Sequence, residues 1–313
     1  MNRIMLRAAA VGTAMMLTAA GCKQSNDTIY VTVDKEKPVP VFDGINKDLQ
    51  DYLAAPVPLK LSVDLSKQET SIESLFAALA AADKYVDLDL SGCTGLTEWG
   101  AYTDAGKVVS LVLPDTVTKI AEGTVSAGTF ASFTSLKAFK ANKTETVGKW
   151  AFYGCAALAS ADLPAATVIG EDAFYGCAAL ASANLPAATA IEGFAFSGCS
   201  ALASINAPSA ATIGSFAFDA CTAIASINLP AAATIRAGAF RHCTSLASIS
   251  LPLVETIERL AFASCTAITS IELPSAATIG AYAFQDCAAL ASANLYSARQ
   301  CGLDKGKEVK WEA

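Results

Sequence analysis

Leu180-Ala-Ser-Ala-Asn-Leu-Pro-Ala-Ala-Thr-Ala-Ile-Glu-Gly-Phe-Ala-Phe-Ser-Gly-Cys-Ser-Ala201 is one copy of a 22-residue unit that the chain repeats without a gap. Strand starts fall at Leu136, Leu158, Leu180, Leu202, Ile224, Leu246, Ile268 and Leu290, each 22 residues after the last. A fixed period of this length is the signature of a solenoid, in which each unit buries its apolar face only against its neighbours. Copies aligned under one another show which positions the rung itself requires.

Phe152, Phe174, Phe196, Phe218, Phe240, Phe262 and Phe284 share a column, each preceded by alanine. Strands spaced about 4.8 Å apart would lay these rings over one another as a dry spine. Leu163, Leu185, Leu229, Leu251, Leu273 and Leu295 form a second apolar column, with Ala207 as the exception. The prolines from Pro164 to Pro274 end each strand, because a residue without an N–H cannot continue a ladder.

Upstream, Tyr85 to Leu90 and Val108 to Pro114 begin the stack with longer connections. Leu59, Leu61, Val63 and Leu65 alternate as a half-buried strand. Asp43 caps a predicted helix carrying Ile45, Leu49, Tyr52 and Leu53, and Ser71 a second carrying Ile72, Leu75, Phe76 and Leu79, with Glu73 near its N-terminus. This lid would cover the first rung's apolar side chains and open strand edge.

At the N-terminus, Arg3 and Arg7 precede the apolar run Ala8 to Leu17, and small residues lead to Ala19-Ala20-Gly21-Cys22. This is read as a secretory signal whose end resembles a bacterial lipobox, with Cys22 the acylated residue. Thr28 to Val33 is a weak strand candidate in an otherwise extended tether. Loss of residues 1–21 removes two arginines and no acid, which leaves 20 basic residues of the original 22 against 29 acidic ones. An exported acidic chain is a poor nucleic-acid binder. The domain reading is a signal at 1–21, a tether at 22–42, a cap and first rung at 43–107, the solenoid at 108–295 and a C-terminal cap at 296–313.

The Leu-Pro, Ile-Gly and Ala-Phe-x-x-Cys-x-x-Leu elements, as in Leu273-Pro274, Ile279-Gly280 and Ala283 to Leu290, resemble the BspA-like, or Treponema pallidum-type, leucine-rich repeat proteins of bacterial surfaces. The resemblance covers about 108 to 295, and the early rungs depart from it, Phe133 standing in the cysteine column. It implies an α/β leucine-rich-repeat solenoid of about ten rungs, with a concave parallel β-sheet, mostly irregular or short-strand convex segments and a small N-terminal helix and strand cap. It also implies an adhesin or protein-binding repeat protein, lipid-anchored in the outer membrane, that contacts host extracellular matrix or other bacteria. A structural envelope lipoprotein facing the periplasm is the alternative.

Seven cysteines occupy one column: Cys155, Cys177, Cys199, Cys221, Cys243, Cys265 and Cys287. Disulfides between rungs would suit export, but equivalent side chains point the same way and seven cannot all pair. Zinc needs four converging ligands, and no histidine recurs. The favoured reading is a structural ladder of buried thiols that donate weakly to the adjacent turn; no metal or cofactor is expected.

Ser160, Ser182, Ser204, Ser226, Ser248, Ser270 and Ser292 should face outward beside Asp162, Asn184, Asn206, Asn228, Ser250, Glu272 and Asn294. This concave strip is either a binding surface for a protein or glycan, or a solvated ladder whose side chains pair with one another. Positions that vary between rungs, among them Glu171, Asp172, Phe194, Phe216, Arg236, Arg241, His242, Arg259 and Tyr282, form a second surface. His242, the sole histidine, has no acid fixed beside it in the repeat, and no triad, phosphate loop or dinucleotide fingerprint supports an enzyme.

Overall fold

The structure is a computed structural model that describes residues 57–60, 65–66, 71–82, 85–124 and 126–295, together with the backbone of short strands at 4–7, 15–19, 29–31, 300–301 and 310–312. The lipobox cysteine, most of the tether, the first predicted helix and most of the C-terminal cap lie outside these residues. Ile4–Arg7, Met15–Ala19 and Ile29–Val31 pair as a small antiparallel sheet, the last inside the weak strand expected at 28–33. Contacts divide the chain into two units, one of residues 1–97, 102–117 and 132–140, the other of residues 98–101, 118–131 and 141–313.

In the first unit, strands Val57–Lys60, Val86–Asp89, Val108–Val112 and Ala138–Lys140 pair in parallel. Val86 and Leu88 are buried while Asp87 and Asp89 are half-exposed, which is the alternation read from the sequence. Helix α1, Ile72–Ala82, begins after Ser71, whose carbonyl accepts the Leu75 N–H at 3.1 Å. Its Ile72, Phe76 and Leu79 are buried. The Phe76 ring meets Phe133 edge-on at 5.3 Å and Tyr102 at 5.9 Å, so the aromatic that replaces cysteine in this rung serves the helix.

The second unit carries two ladders. The short one contains ten parallel two-residue strands, from Glu98–Trp99 through Val168–Ile169 and Thr212–Ile213 to Gln300–Cys301, with nine turns of chain between first and last. The long one pairs Ser160–Asp162, Ser182–Asn184 and Ser204–Asn206 with residues 22 apart in register. It breaks before Ser226–Asn228, which pairs with Ser248–Ser250, and again before Ser270–Leu273, which pairs with Ser292–Leu295 and through it with Lys310–Glu312. Both breaks fall inside the run Ile205, Ile227, Ile249 and Ile271, which occupies a column filled by alanine at 161, 183 and 293. Strands at 300–301 and 310–312 carry both ladders past the solenoid boundary expected at 295.

The helical part of the α/β expectation is confined to one described element, and the short-strand convex segments are as expected. Among the described residues α1 is the one α-helix, and the return segments of the rungs are short strands and turns. The backbone gives the reason. Trp150, Asp172, Phe194, Phe216, Gly238, Leu260 and Tyr282, two residues before each spine phenylalanine, all have φ between 54° and 62°. Gly154, Gly176, Gly198, Ala220, His242, Ser264 and Asp286, two residues after it, lie between 56° and 74°. Two left-handed residues per rung rule out a helix there.

The spine stacks as expected: rings from Phe130 to Phe284 lie 4.2 to 5.4 Å apart and within 5° of parallel. Translation from rung to rung imposes that parallel, offset arrangement. The stack also begins earlier than the Ala-Phe pattern indicated, because Trp99 from the short ladder lies over Phe130 at 6.2 Å.

The left-handed column after each phenylalanine carries glycine in three rungs and a side chain in the next four. Replacement of Ala220, at φ 59°, by glycine removes the Cβ penalty and should stabilise the chain by about 0.5–1 kcal/mol. Gly154→Ala, where the added methyl meets nothing within 4 Å, should cost about 1 kcal/mol from conformation alone. Urea midpoints check both, and two unmoved midpoints would mean that this column stores no strain.

Candidate functional site

Within the second unit the polar strip lies along the long ladder. Ser204, Asn206, Ser226, Asn228, Ser248, Ser250, Ser270 and Glu272 are exposed, Ser182 is exposed, and Ser160, Asp162, Asn184 and Ser292 are half-buried. The Asn294 side chain lies outside the described residues. Asn184 donates from Nδ2 to Asp162 Oδ1 at 2.7 Å, and Asn206 from Nδ2 to Asn184 Oδ1 at 2.8 Å. The strip is therefore two things in sequence: a bonded side-chain run from Asp162 to Asn206, then an exposed series beyond the first break in the ladder.

The seven column cysteines are buried and free. Six of them, Cys177 to Cys287, donate from Sγ to the carbonyl of the spine phenylalanine in the preceding rung at 3.0 to 3.1 Å, and Cys155 does so to Phe130 at 3.7 Å. That carbonyl already accepts the N–H of its own rung's cysteine, as Phe174 does from Cys177 at 3.1 Å. Each phenylalanine oxygen from Phe152 to Phe262 thus accepts two bonds, one within the rung and one between rungs, which explains why a donor stands in this column. Burial pushes the thiols up: Cys155, Cys199 and Cys243 to about 12, and Cys177, Cys221 and Cys265 well above the ordinary value. A neutral thiol in a dry stack is a poor nucleophile and a poor metal ligand.

The variable surface is built from the turns that flank the spine. Tyr153 stacks on Tyr175 at 5.1 Å, and Phe194 on Phe216 at 5.1 Å. Lys149 pairs with Glu171 and lies 4.2 Å over the Trp150 ring. The Asp172 carboxyl is pushed up by burial and then by the neighbouring charge of Glu171. Tyr282 is among the exposed large side chains.

His242 does have an acid beside it. Asp219, 23 residues earlier, accepts a bidentate pair from Arg241 at 3.1 and 3.0 Å and stands 3.1 Å from His242 Nδ1. Asp219 shares the column of Arg241 one rung back, so the pairing was readable as a 22-residue neighbour and was missed by looking only within a rung. Its hydrogen bonds hold the Arg241 guanidinium in its charged form, with the group 4.8 Å over the Phe216 ring. The three side chains form a fixed charged surface.

A family model for the BspA type leucine rich repeat region matches residues 98–209 and 167–291 in six copies. The chain belongs to the BspA-type leucine-rich repeat family. Among solved structures it is similar to a leucine-rich repeat protein of T. pallidum, at 34% identity over 44% of this chain and 58% of that one, with a TM-score of 0.34. It is also similar to a leucine-rich repeat protein of Eubacterium ventriosum, at 21% identity over 72% and 69% with a TM-score of 0.41. A leucine-rich cell surface protein of Faecalibacterium prausnitzii aligns at 18% identity over 92% and 88%, TM-score 0.32. The chain thus spans less than two thirds of the T. pallidum protein. No curated protein matches it, and the BspA-type match indicates no enzyme family.

Proposed function

We propose that this BspA-type protein is a lipid-anchored adhesin that binds a protein or glycan in host extracellular matrix or on other bacteria. The observation that carries the reading is the exposed series from Ser204 to Glu272, polar side chains that recur every 22 residues along the strands of successive rungs. Many weak equivalent contacts along a rigid strip add together when one partner spans them. Export and acylation at Cys22 rest on the lipobox-like Ala19-Ala20-Gly21-Cys22, and helix α1 serves as the N-terminal cap, its buried face covering Phe133.

An envelope scaffold without a host ligand is the second reading. The bonded run Asp162, Asn184 and Asn206 favours it, since side chains that satisfy one another leave less for a partner.

Protease treatment of intact cells separates the two, with cleavage before lysis expected and protection until lysis excluding surface adhesion. A panel of matrix proteins presented to the mature chain supplies the ligand. Joint replacement of Asn184, Asn206 and Asn228 by alanine should weaken capture by roughly tenfold if the strip binds, with the circular dichroism spectrum retained. Undiminished capture by the folded triple variant would reject the strip as the binding face.

A further inference from the structure

We propose that Arg236, Arg241 and Arg259, together with Phe194 and Phe216, form a docking site for an acidic, partly apolar polypeptide segment. The inference rests on the protein-binding reading above and locates a separate site on the turn surface.

Charge distribution is the first argument. From residue 150 to residue 298 the only basic side chains are Arg236, Arg241, His242 and Arg259, all within two consecutive rungs, whereas nine carboxylates are spread through the same stretch. Within that acidic stretch the three arginines present a local contrast for an anionic partner.

Geometry makes these residues one patch. Phe194 stacks on Phe216, and the Phe216 ring occupies the space a Cβ on Gly238 would need, with its Cε1 only 2.4 Å from that position. Arg241 covers the same ring. The Gly238 N–H donates to the Arg259 carbonyl at 3.0 Å, and the Ala237 N–H to Glu258 Oε2 at 2.9 Å, which sets Arg236 and Arg259 on adjoining rungs. Asp219 is taken up by Arg241 and His242. Arg236 and Arg259 are exposed, and their guanidinium groups make no hydrogen bond or ion pair among the described residues, so two guanidinium forks remain open. The carboxylates of these rungs and the one before them are Asp219, Glu255 and Glu258, and Asp219 is the one already bonded to an arginine.

Backbone strain is an independent observation. Phe194, Phe216 and Leu260 are held at φ 55° to 57°, in a column that Trp150 and Tyr282 share and where Gly238 and Asp172 show that a smaller residue serves the turn. A bulky side chain there costs about 1–2 kcal/mol of conformational energy, and strain kept against a cheaper alternative marks a surface retained for what the side chain contacts. Arginine with aromatic neighbours is the composition of binding hot spots. The planar fork suits carboxylates, and the phenylalanine pair calls for apolar side chains on the same ligand, which a peptide mixing Glu with Leu supplies and a sulfated glycan does not.

The test titrates the full chain with a short fluorescent peptide alternating Glu and Leu, its Lys and Leu counterpart, and heparin, by anisotropy at low and physiological salt. Binding of the acidic peptide alone, weakening with salt, and at least roughly tenfold weaker in the Arg236→Gln/Arg259→Gln variant, supports the site. Both side chains are exposed and outside the core, and the circular dichroism spectrum of the variant is recorded to show that it folds. Tighter binding to heparin than to the acidic peptide overturns the proposal in favour of a glycan site. Absence of acidic-peptide binding by a chain that still captures a matrix protein overturns the patch and leaves the protein-binding reading standing; a chain that captures nothing in either assay removes both.

Discussion

Held in reducing buffer and taken from pH 8 to pH 10.5, the protein should unfold cooperatively, with stability falling from about pH 9 upward. Six buried thiols, Cys155, Cys177, Cys199, Cys221, Cys243 and Cys265, are raised from an ordinary value of 9.0, three of them to about 12. The cause in each is burial, which disfavours the thiolate. An acid raised in the folded state binds its proton longer there than in the unfolded chain. The unfolded state therefore gains stability by deprotonating once pH passes 9.0, and the folded state loses its advantage progressively up to about 12. At pH 10 each thiol contributes on the order of 1 kcal/mol against folding, so that six together offset a large part of the stability of a typical domain. Urea midpoints measured by circular dichroism at half-unit pH steps give the slope. A Cys177/Cys199/Cys221→Ser variant should fall about half as steeply, because serine donates to the same phenylalanine carbonyls and does not ionise in this range. Equal slopes for the two chains would mean that the thiols are not the groups responsible.

The same ladder shows what internal repetition reveals and what it conceals. Columns that serve stacking announce themselves, since every rung solves the same problem with the same residue; the spine, the Leu column, the proline stops and the cysteines were all legible from spacing alone. Residues that substitute for a column member were not. Trp99 belongs to the short ladder and reaches the spine from there, and Phe130 follows threonine rather than alanine, so neither carries the Ala-Phe mark although Phe130 stands 22 residues before Phe152. The left-handed turns were hidden for another reason. Glycine at 154, 176 and 198 hints at one such column, but Ala220, His242 and Ser264 in the later rungs disguise it, and the column of Trp150, Phe194, Phe216 and Tyr282 holds residue types that ordinarily avoid that conformation.

The candidate surfaces divide along the same line. Outward orientation of the Ser and Asn columns follows from strand alternation and is seen wherever those side chains are described. Their mutual bonding is not uniform: the Asn run stops where the backbone ladder breaks after Asn206, and that break carries no periodic signal in the sequence. Asp219, Arg241 and His242 come together only because residues 22 and 23 apart in the chain are neighbours in space, so recognition residues in this fold must be sought down columns and across adjoining rungs.

Phe218→Ala should be the most damaging single core substitution, because it removes a middle member of a continuous stack. Phe218 is fully buried and lies 5.4 Å from Phe196 and 5.2 Å from Phe240. Truncation of such a side chain costs about 3–5 kcal/mol in lost burial and cavity. Its position adds a second effect. In a solenoid, stability is a sum of rung terms and nearest-neighbour interfaces, and this residue belongs to two interfaces at once, so its loss weakens the coupling of everything before it to everything after it. Phe284→Ala, at 8% exposure and with one described ring neighbour at 5.4 Å, should cost distinctly less and leave a single transition. Phe218→Ala should instead split urea unfolding into two phases, and Phe218→Leu, which keeps most of the volume, should restore one transition at a smaller loss. Equal single-phase losses for the central and terminal truncations would show that the rungs unfold as one unit whatever their position, and that the spine does not carry the coupling between them.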